Sequence, residues 1–229
     1  MTDHLLLPAA GVGRRFGHDR PKQYCTLADR TLMEWTLDLW LNVRLDGRRL
    51  LILAQSDSQG RDIARSYSNL DVAVGGEERA DSVLAGLEAL NAQEQDWVLV
   101  HDIARPCVRV EDIERLLDHC HRTGRGGLLA TPVSDTIKRR DGDAVSTIDR
   151  RQLWSALTPQ CFRFGELKQA LASALSAGVT ITDEASAMER AGFPVDLVEG
   201  ARDNLKLTRP EDRALIEFYL MQQGRLEQR

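Results

Sequence analysis

Short apolar runs alternate with segments of helical spacing, and no other feature of the chain constrains its fold as much. His4–Leu7, Leu50–Leu53, Asp71–Val74, Trp97–Val100 and Leu128–Thr131 read as buried strands. Between them, Thr31 and Glu34 form a capping-box pair ahead of Leu32, Trp35 and Leu39. Asp81 or Ser82 is placed to cap a helix carrying Val83, Leu87 and Leu90, and Ile113, Leu116, Leu117 and Cys120 line another. Further on, Thr182–Ala191 reads as a helix stopped by Gly192, Pro194–Val198 as a strand and Pro210–Gln223 as a closing helix. Such alternation predicts an α/β fold in three layers, a mostly parallel sheet with helices on both faces. At 229 residues the chain suits a single domain, 1–229.

Residues 133–155 break the rhythm. Two β-like stretches flank Asp141-Gly142, which is hairpin chemistry, and the segment holds four arginines, one lysine and four aspartates but few core residues. A charged hairpin with so small a core is marginal by itself, so a projecting β-arm that lies on a partner is expected.

Several function classes drop out on composition. Thirty basic against 35 acidic side chains give a net charge of −5, which argues against a nucleic-acid binder and makes any anion site local. The longest apolar run, Leu5–Ala10, is interrupted by Pro8 and is far short of the roughly 20 residues a membrane span needs. The start has no basic n-region, so a cytoplasmic protein without membrane contact is expected. Cys25, Cys107, Cys120 and Cys161 lack metal or redox spacing and read as reduced, partly buried residues.

In open parallel sheets, ligands bind beyond the carboxyl ends of the strands. The most unusual segments, PAAGVGRR, GGEERADS and HDIARP, all follow strands, so they are expected to meet at one edge. Gly11, Gly13 and Gly17 let backbone N–H groups approach an anion, and Arg15 and Lys22 favour phosphate over a plain turn. The third glycine falls one residue late for a dinucleotide fingerprint, which disfavours an NAD oxidoreductase, and the G-K-[ST] of a Walker A loop is absent. Asp102 can hold Mg²⁺ beside a triphosphate, and Arg105 can grip a phosphate; the bland alternative is an Asp102–Arg105 ion pair. His101 reads as structural. Lys206, between apolar neighbours, is either a surface lysine or a second cation opposite Lys22.

The segments PAAGVGRRFG…PKQY, GGEERADSV, VHDIARPCV, PVSDTIK, LWSALTPQCF, TDEASAMER and DNLKLTRPED, in this order from about Leu5 to Tyr219, resemble the 2-C-methyl-D-erythritol 4-phosphate cytidylyltransferases. The resemblance implies a Rossmann-like nucleotidyltransferase fold, a homodimer with exchanged β-arms, and transfer of CMP from CTP to a polyol phosphate with Mg²⁺. Carried over residue by residue, Ala9, Ala10, Gly11 and Gly13 would line the CTP loop, with Arg15 and Lys22 on the triphosphate. Gly76, Asp81 and Ser82 would face cytosine and its surroundings, and Asp102 the metal and ribose. Arg105, Thr136, Arg150, Thr158 and Thr182 would serve the polyol phosphate, Thr136 and Arg150 from the partner's arm, and Lys206 would stand opposite Lys22. The family usually reads H-D-A-A-R-P, and Ile103 departs from it, with a side chain that could narrow the pocket. No room for a fused cyclodiphosphate synthase domain is expected within 229 residues. The nearest rivals are a ribitol 5-phosphate cytidylyltransferase and a non-catalytic CTP-binding sensor.

Overall fold

The computed structural model describes residues 1–11 and 21–227. In chain order its elements are β1 (Asp3–Pro8), a two-strand ribbon of β2 (Thr26–Leu27) and β3 (Arg30–Thr31), α1 (Leu32–Asn42), β4 (Arg49–Leu53), α2 (Ser58–Ala64), β5 (Asp71–Val74) and α3 (Arg79–Leu90). Then come β6 (Trp97–Val100), α4 (Val110–Thr123), β7 (Gly127–Pro132), β8 (Ile137–Asp141), β9 (Ala144–Ile148), β10 (Trp154–Arg163), α5 (Phe164–Ser176), α6 (Glu184–Arg190), β11 (Asp196–Glu199) and α7 (Asp212–Gln222).

Seven strands form one sheet in the order β11-β7-β10-β6-β1-β4-β5. All pairings are parallel except those of β10, which runs antiparallel to both β6 and β7. The central strands β1, β4 and β6 are apolar without alternation because both faces are covered. Leu5, Leu7, Leu51, Leu53 and Leu99 pack with residues of α1, α2 and α4 on one face. Leu6, Leu50, Ile52, Val98 and Val100 pack with α3, α5 and α6 on the other. This is the expected three-layer α/β/α arrangement. Among the described residues, no helix is long and apolar enough to cross a membrane.

Three details differ from the sequence reading. Helix α3 begins at Arg79, with Glu78 as N-cap, so neither Asp81 nor Ser82 is the cap; the Asp81 carboxylate reaches back to accept the Glu78 N–H at 3.0 Å. β10 carries no simple apolar pattern, since Pro159 interrupts it and its ladder slips register between Ala156 and Gln160. Irregularities of this kind often re-aim side chains beside active sites, and Thr158 sits in this one. Helices α2 and α5 also lie in stretches that the sequence reading left unassigned.

A hairpin forms within residues 133–155. This hairpin, β8–β9, is a separate two-stranded sheet closed through Gly142, whose φ of 58° suits glycine. Val145 on it is 64% exposed, and Trp154 at its base is 37% exposed.

Candidate active site

β1 ends in Pro8, β5 in Val74 and β6 in Val100, and the loops that follow converge as expected. β1 stands between β4 and β6, so the chain leaves it in both directions, and a crevice opens at this switch point. The crevice holds a cavity of about 110 Å³ lined by Pro8, Ala9, Ala10, Gly11, Lys22, Gln23, Arg79, Ser82, Asp102, Ile103, Ala104 and Lys206.

Backbone and side-chain contacts fix this floor. The Ala9 N–H continues the β1 ladder to the Ile52 carbonyl at 2.8 Å, and the Gln23 amide donates to the Ala9 carbonyl at 3.0 Å. At Gly75, a Cβ would fall 2.6 Å from Ser82 Oγ and 2.8 Å from the Ala10 side chain. Only glycine lets the start of α3 and the first loop come this close. Ser82 is buried, with carbonyls of Gly76 and Glu78 in reach of its hydroxyl. Ile103 is buried too and joins the core, and its carbonyl accepts the Thr36 hydroxyl at 2.8 Å.

Asp102 is the electrostatic centre. Its Oδ1 accepts Arg79 Nε at 2.9 Å and its Oδ2 accepts Lys206 Nζ at 2.6 Å. Arg105 Nε stands 3.9 Å from Oδ2. Burial pushes this carboxyl's pKa up, but Arg79, then Lys206, then Arg105 outweigh it, so it lies well below the usual carboxylate range. The far end of Arg79 grips Glu184 bidentately, at 2.6 and 3.0 Å. The Glu184 side chain is 1% exposed, and burial lifts its pKa above the ordinary value despite the opposing charge of Arg79. Three cations (Arg79, Arg105 and Lys206) thus face two carboxylates, and Lys22 adds a fourth on the same cavity. A site so charged favours an anion that can compete for the lysines.

The expected site residues fall into groups. Ala9, Ala10, Gly11, Lys22, Ser82, Asp102 and Lys206 come together on the one cavity. Gly76 and Asp81 stand beside it at the start of α3, where a Cβ on Gly76 would fall 2.5 Å from the Cβ of Asp81. The Thr158 hydroxyl is turned beneath the cavity, accepting the Asp102 N–H at 3.1 Å. Arg105 donates through Nη1 to the Asn204 carbonyl at 2.7 Å, so its contact with Asp102 is a longer one than the simple ion pair considered from sequence. Thr182 is exposed ahead of α6, and Thr136 and Arg150 are exposed on the arm, where Arg150 donates to the Ser134 carbonyl. Gly13 and Arg15 lie outside the described residues.

Arg79 and Gln23 were missed. Arg79 lies inside the GGEERADS segment, but the emphasis there on glycines and cap residues hid a guanidinium on the first turn of α3. Glu184 follows a helix cap, where a carboxylate reads as ordinary dipole chemistry. His101 is fully buried, and burial holds its pKa down at about 4, as suits a structural histidine.

The family model for 2-C-methyl-D-erythritol 4-phosphate cytidylyltransferase matches residues 4–222. The chain belongs to this family. Among cytidylyltransferases of this name, that of Ectopseudomonas mendocina is 53% identical over 218 residues, covering 93% of each chain. The Pseudomonas aeruginosa UCBPP-PA14 protein is 54% identical over 214 residues, covering 90% of this chain and 91% of its own. The crystal structure of the Francisella tularensis cytidylyltransferase superposes with a TM-score of 0.83 at 31% identity, covering 96% of this chain and all of that one. Among the described residues, no group of three or more His, Cys, Asp or Glu side chains could hold a metal by itself. A lone carboxylate on a cytidylyltransferase cavity still fits Mg²⁺, which is commonly held by one or two carboxylates together with substrate phosphates.

Proposed function

We propose that this chain transfers a cytidylyl group from CTP to 2-C-methyl-D-erythritol 4-phosphate and releases pyrophosphate. The observation that carries the reading is that Lys22 and Lys206, far apart in sequence, line the same glycine-bordered cavity as Asp102. A phosphate oxygen of the polyol phosphate attacks the α-phosphorus of CTP in line, and the bond to the β-phosphate oxygen breaks. Two anions must approach each other, so the barrier is largely electrostatic, and positioned cations lower it. Lys22 and Lys206 would neutralise charge on the transferring phosphoryl group. Arg15, seven positions before Lys22 in the sequence, would assist. The backbone from Ala9 to Gly13 would cradle the phosphates, and Gly76, Asp81 and Ser82 would border the base and sugar. Asp102 would hold Mg²⁺, which when bound supplies further charge neutralisation on the phosphate oxygens. Arg105 and Thr182 would border the acceptor. Pyrophosphate release from CTP with this acceptor, against ATP, GTP and UTP and against ribitol 5-phosphate, tests the assignment. Turnover only with ribitol 5-phosphate, or CTP binding without turnover on either polyol phosphate, would replace it with the sibling enzyme or the sensor.

The arm extends the proposal to a homodimer. Its exposed hairpin has little core of its own, which suits a segment lying on a second copy. Thr136 and Arg150 would then complete the partner's acceptor site. Mixing Arg150→Ala chains with Lys22→Ala chains should restore about a quarter of the wild-type rate, because half of the dimers are mixed and each has one intact site. Steady-state pyrophosphate release after proven subunit exchange measures it. No recovery would mean that each site is built from one chain.

A further inference from the structure

We propose that His101 is a positioning residue for the transfer, holding Asp102 and the segment bearing Lys206 in register with each other; this rests on the functional reading above. His101 is fully buried, with the Trp40 ring 5.1 Å from its own. Its Nε2 lies 3.0 Å from the Arg105 carbonyl. A carbonyl can only accept, so Nε2 carries the proton. Nδ1 is then the acceptor for the Thr158 hydroxyl, 3.1 Å away. The Thr158 oxygen still has a lone pair, which takes the Asp102 N–H at 3.1 Å.

The contacts close into a circuit. The Thr158 carbonyl accepts Asn204 Nδ2 at 2.8 Å, and the Asn204 carbonyl accepts Arg105 Nη1 at 2.7 Å. The Arg105 carbonyl returns the circuit to the His101 ring. Four residues from three separate parts of the chain are thereby locked together, and both working charges hang on them. Asp102 is held through its own N–H. Lys206 follows Asn204 by two residues, and the next N–H, of Leu207, is pinned to the Ala104 carbonyl at 2.9 Å. Asn204 is 1% exposed and Thr158 is 5% exposed, so water has little access to replace these bonds. Removing the imidazole opens the circuit at two bonds and lets the two segments shift relative to each other. A misplacement of about 1 Å at a reacting centre can cost on the order of 10²-fold in rate.

The test is steady-state kinetics on His101→Phe and His101→Gln, alone and with Lys206→Ala, on full-length protein whose melting midpoint exceeds the assay temperature. For His101→Phe, kcat should fall about 10–10²-fold while the KM for CTP changes less than about threefold. Glutamine can keep the bond to the Arg105 carbonyl and should retain more activity than phenylalanine. Adding His101→Phe to Lys206→Ala should cost less than about threefold more, since both act on one geometry. Wild-type kcat in His101→Phe, or losses that simply multiply, would overturn the proposal. Should the variants fail to fold, ¹⁵N NMR of the wild-type ring decides: the Nε2–H tautomer is expected, and Nδ1–H is incompatible with the circuit. Wild-type protein that releases no pyrophosphate with the correct tautomer present would instead remove the functional reading.

Discussion

Replacing Lys206 with alanine should lower kcat by about 10²–10³ at saturating CTP and polyol phosphate, with the fold intact. The magnitude follows from removing one pre-placed donor at a charged transition state, about 3–4 kcal/mol. The fold survives because the side chain is 36% exposed, and its partner Asp102 keeps Arg79 and its neighbour Arg105. Lys206 is paired with Asp102 at 2.6 Å, so its charge is held in place at little reorganisation cost. Binding CTP then asks it to exchange a carboxylate oxygen for phosphate oxygens. Lys22→Ala should give a loss of the same order, and the double variant should fall short of the product of the two, because both cations act on one phosphoryl group. Lys206→Arg should recover little, since a planar fork does not reproduce a compact ammonium. Near-normal kcat in both alanine variants would contradict a mechanism built on paired cations.

The parallel sheet was legible because β1, β4 and β6 are buried on both faces, and continuous apolar runs bounded by loops have few other readings. The capping box at Thr31 and Glu34 was equally local, and both of its hydrogen bonds form. β10 was not legible, because Pro159 interrupts it and its place is set by pairing with β6 and β7. In the site, residues read from strand-end motifs reached the same cavity. What could not be read was how they are wired. Arg79 reaches Asp102 and Glu184, 23 and 105 positions further along the chain, and nothing local marks such a bridge. Thr158 has the same history. The resemblance points it at the acceptor, whereas its hydroxyl is spent on the Asp102 backbone and the His101 ring.

Arg79→Met should cost about 3–5 kcal/mol of folding stability at neutral pH, read from urea denaturation, because it strips the partner from a carboxylate that is 1% exposed. The cost should depend on pH in a fixed direction. Burial already raises the Glu184 pKa with Arg79 present, and removing the cation raises it further. Between the unfolded value near 4.3 and that raised native value, the folded state keeps a proton that the unfolded state has lost. Stability of the variant therefore falls as pH rises through this window. Asp102 acts in the same sense. Its wild-type pKa is depressed, so its contribution is present above the unfolded carboxylate value and is lost as pH falls through the native one. Removing Arg79 weakens that depression. The gap between wild type and variant should therefore be widest at neutral pH, narrow toward pH 4 as Glu184 takes up its proton, and close further only below that, as Asp102 does. Exchanging both members, Arg79→Met with Glu184→Met, replaces a buried ion pair by apolar side chains, a change that is often neutral or stabilising. That variant should regain most of the stability yet remain slow, because Asp102 still lacks the guanidinium on Oδ1. Stability and rate would then separate. Recovery of both together would reduce Arg79 to a partner for Glu184 alone, and an Arg79→Met protein as stable as wild type at pH 8 would mean that the bridge does not form in solution.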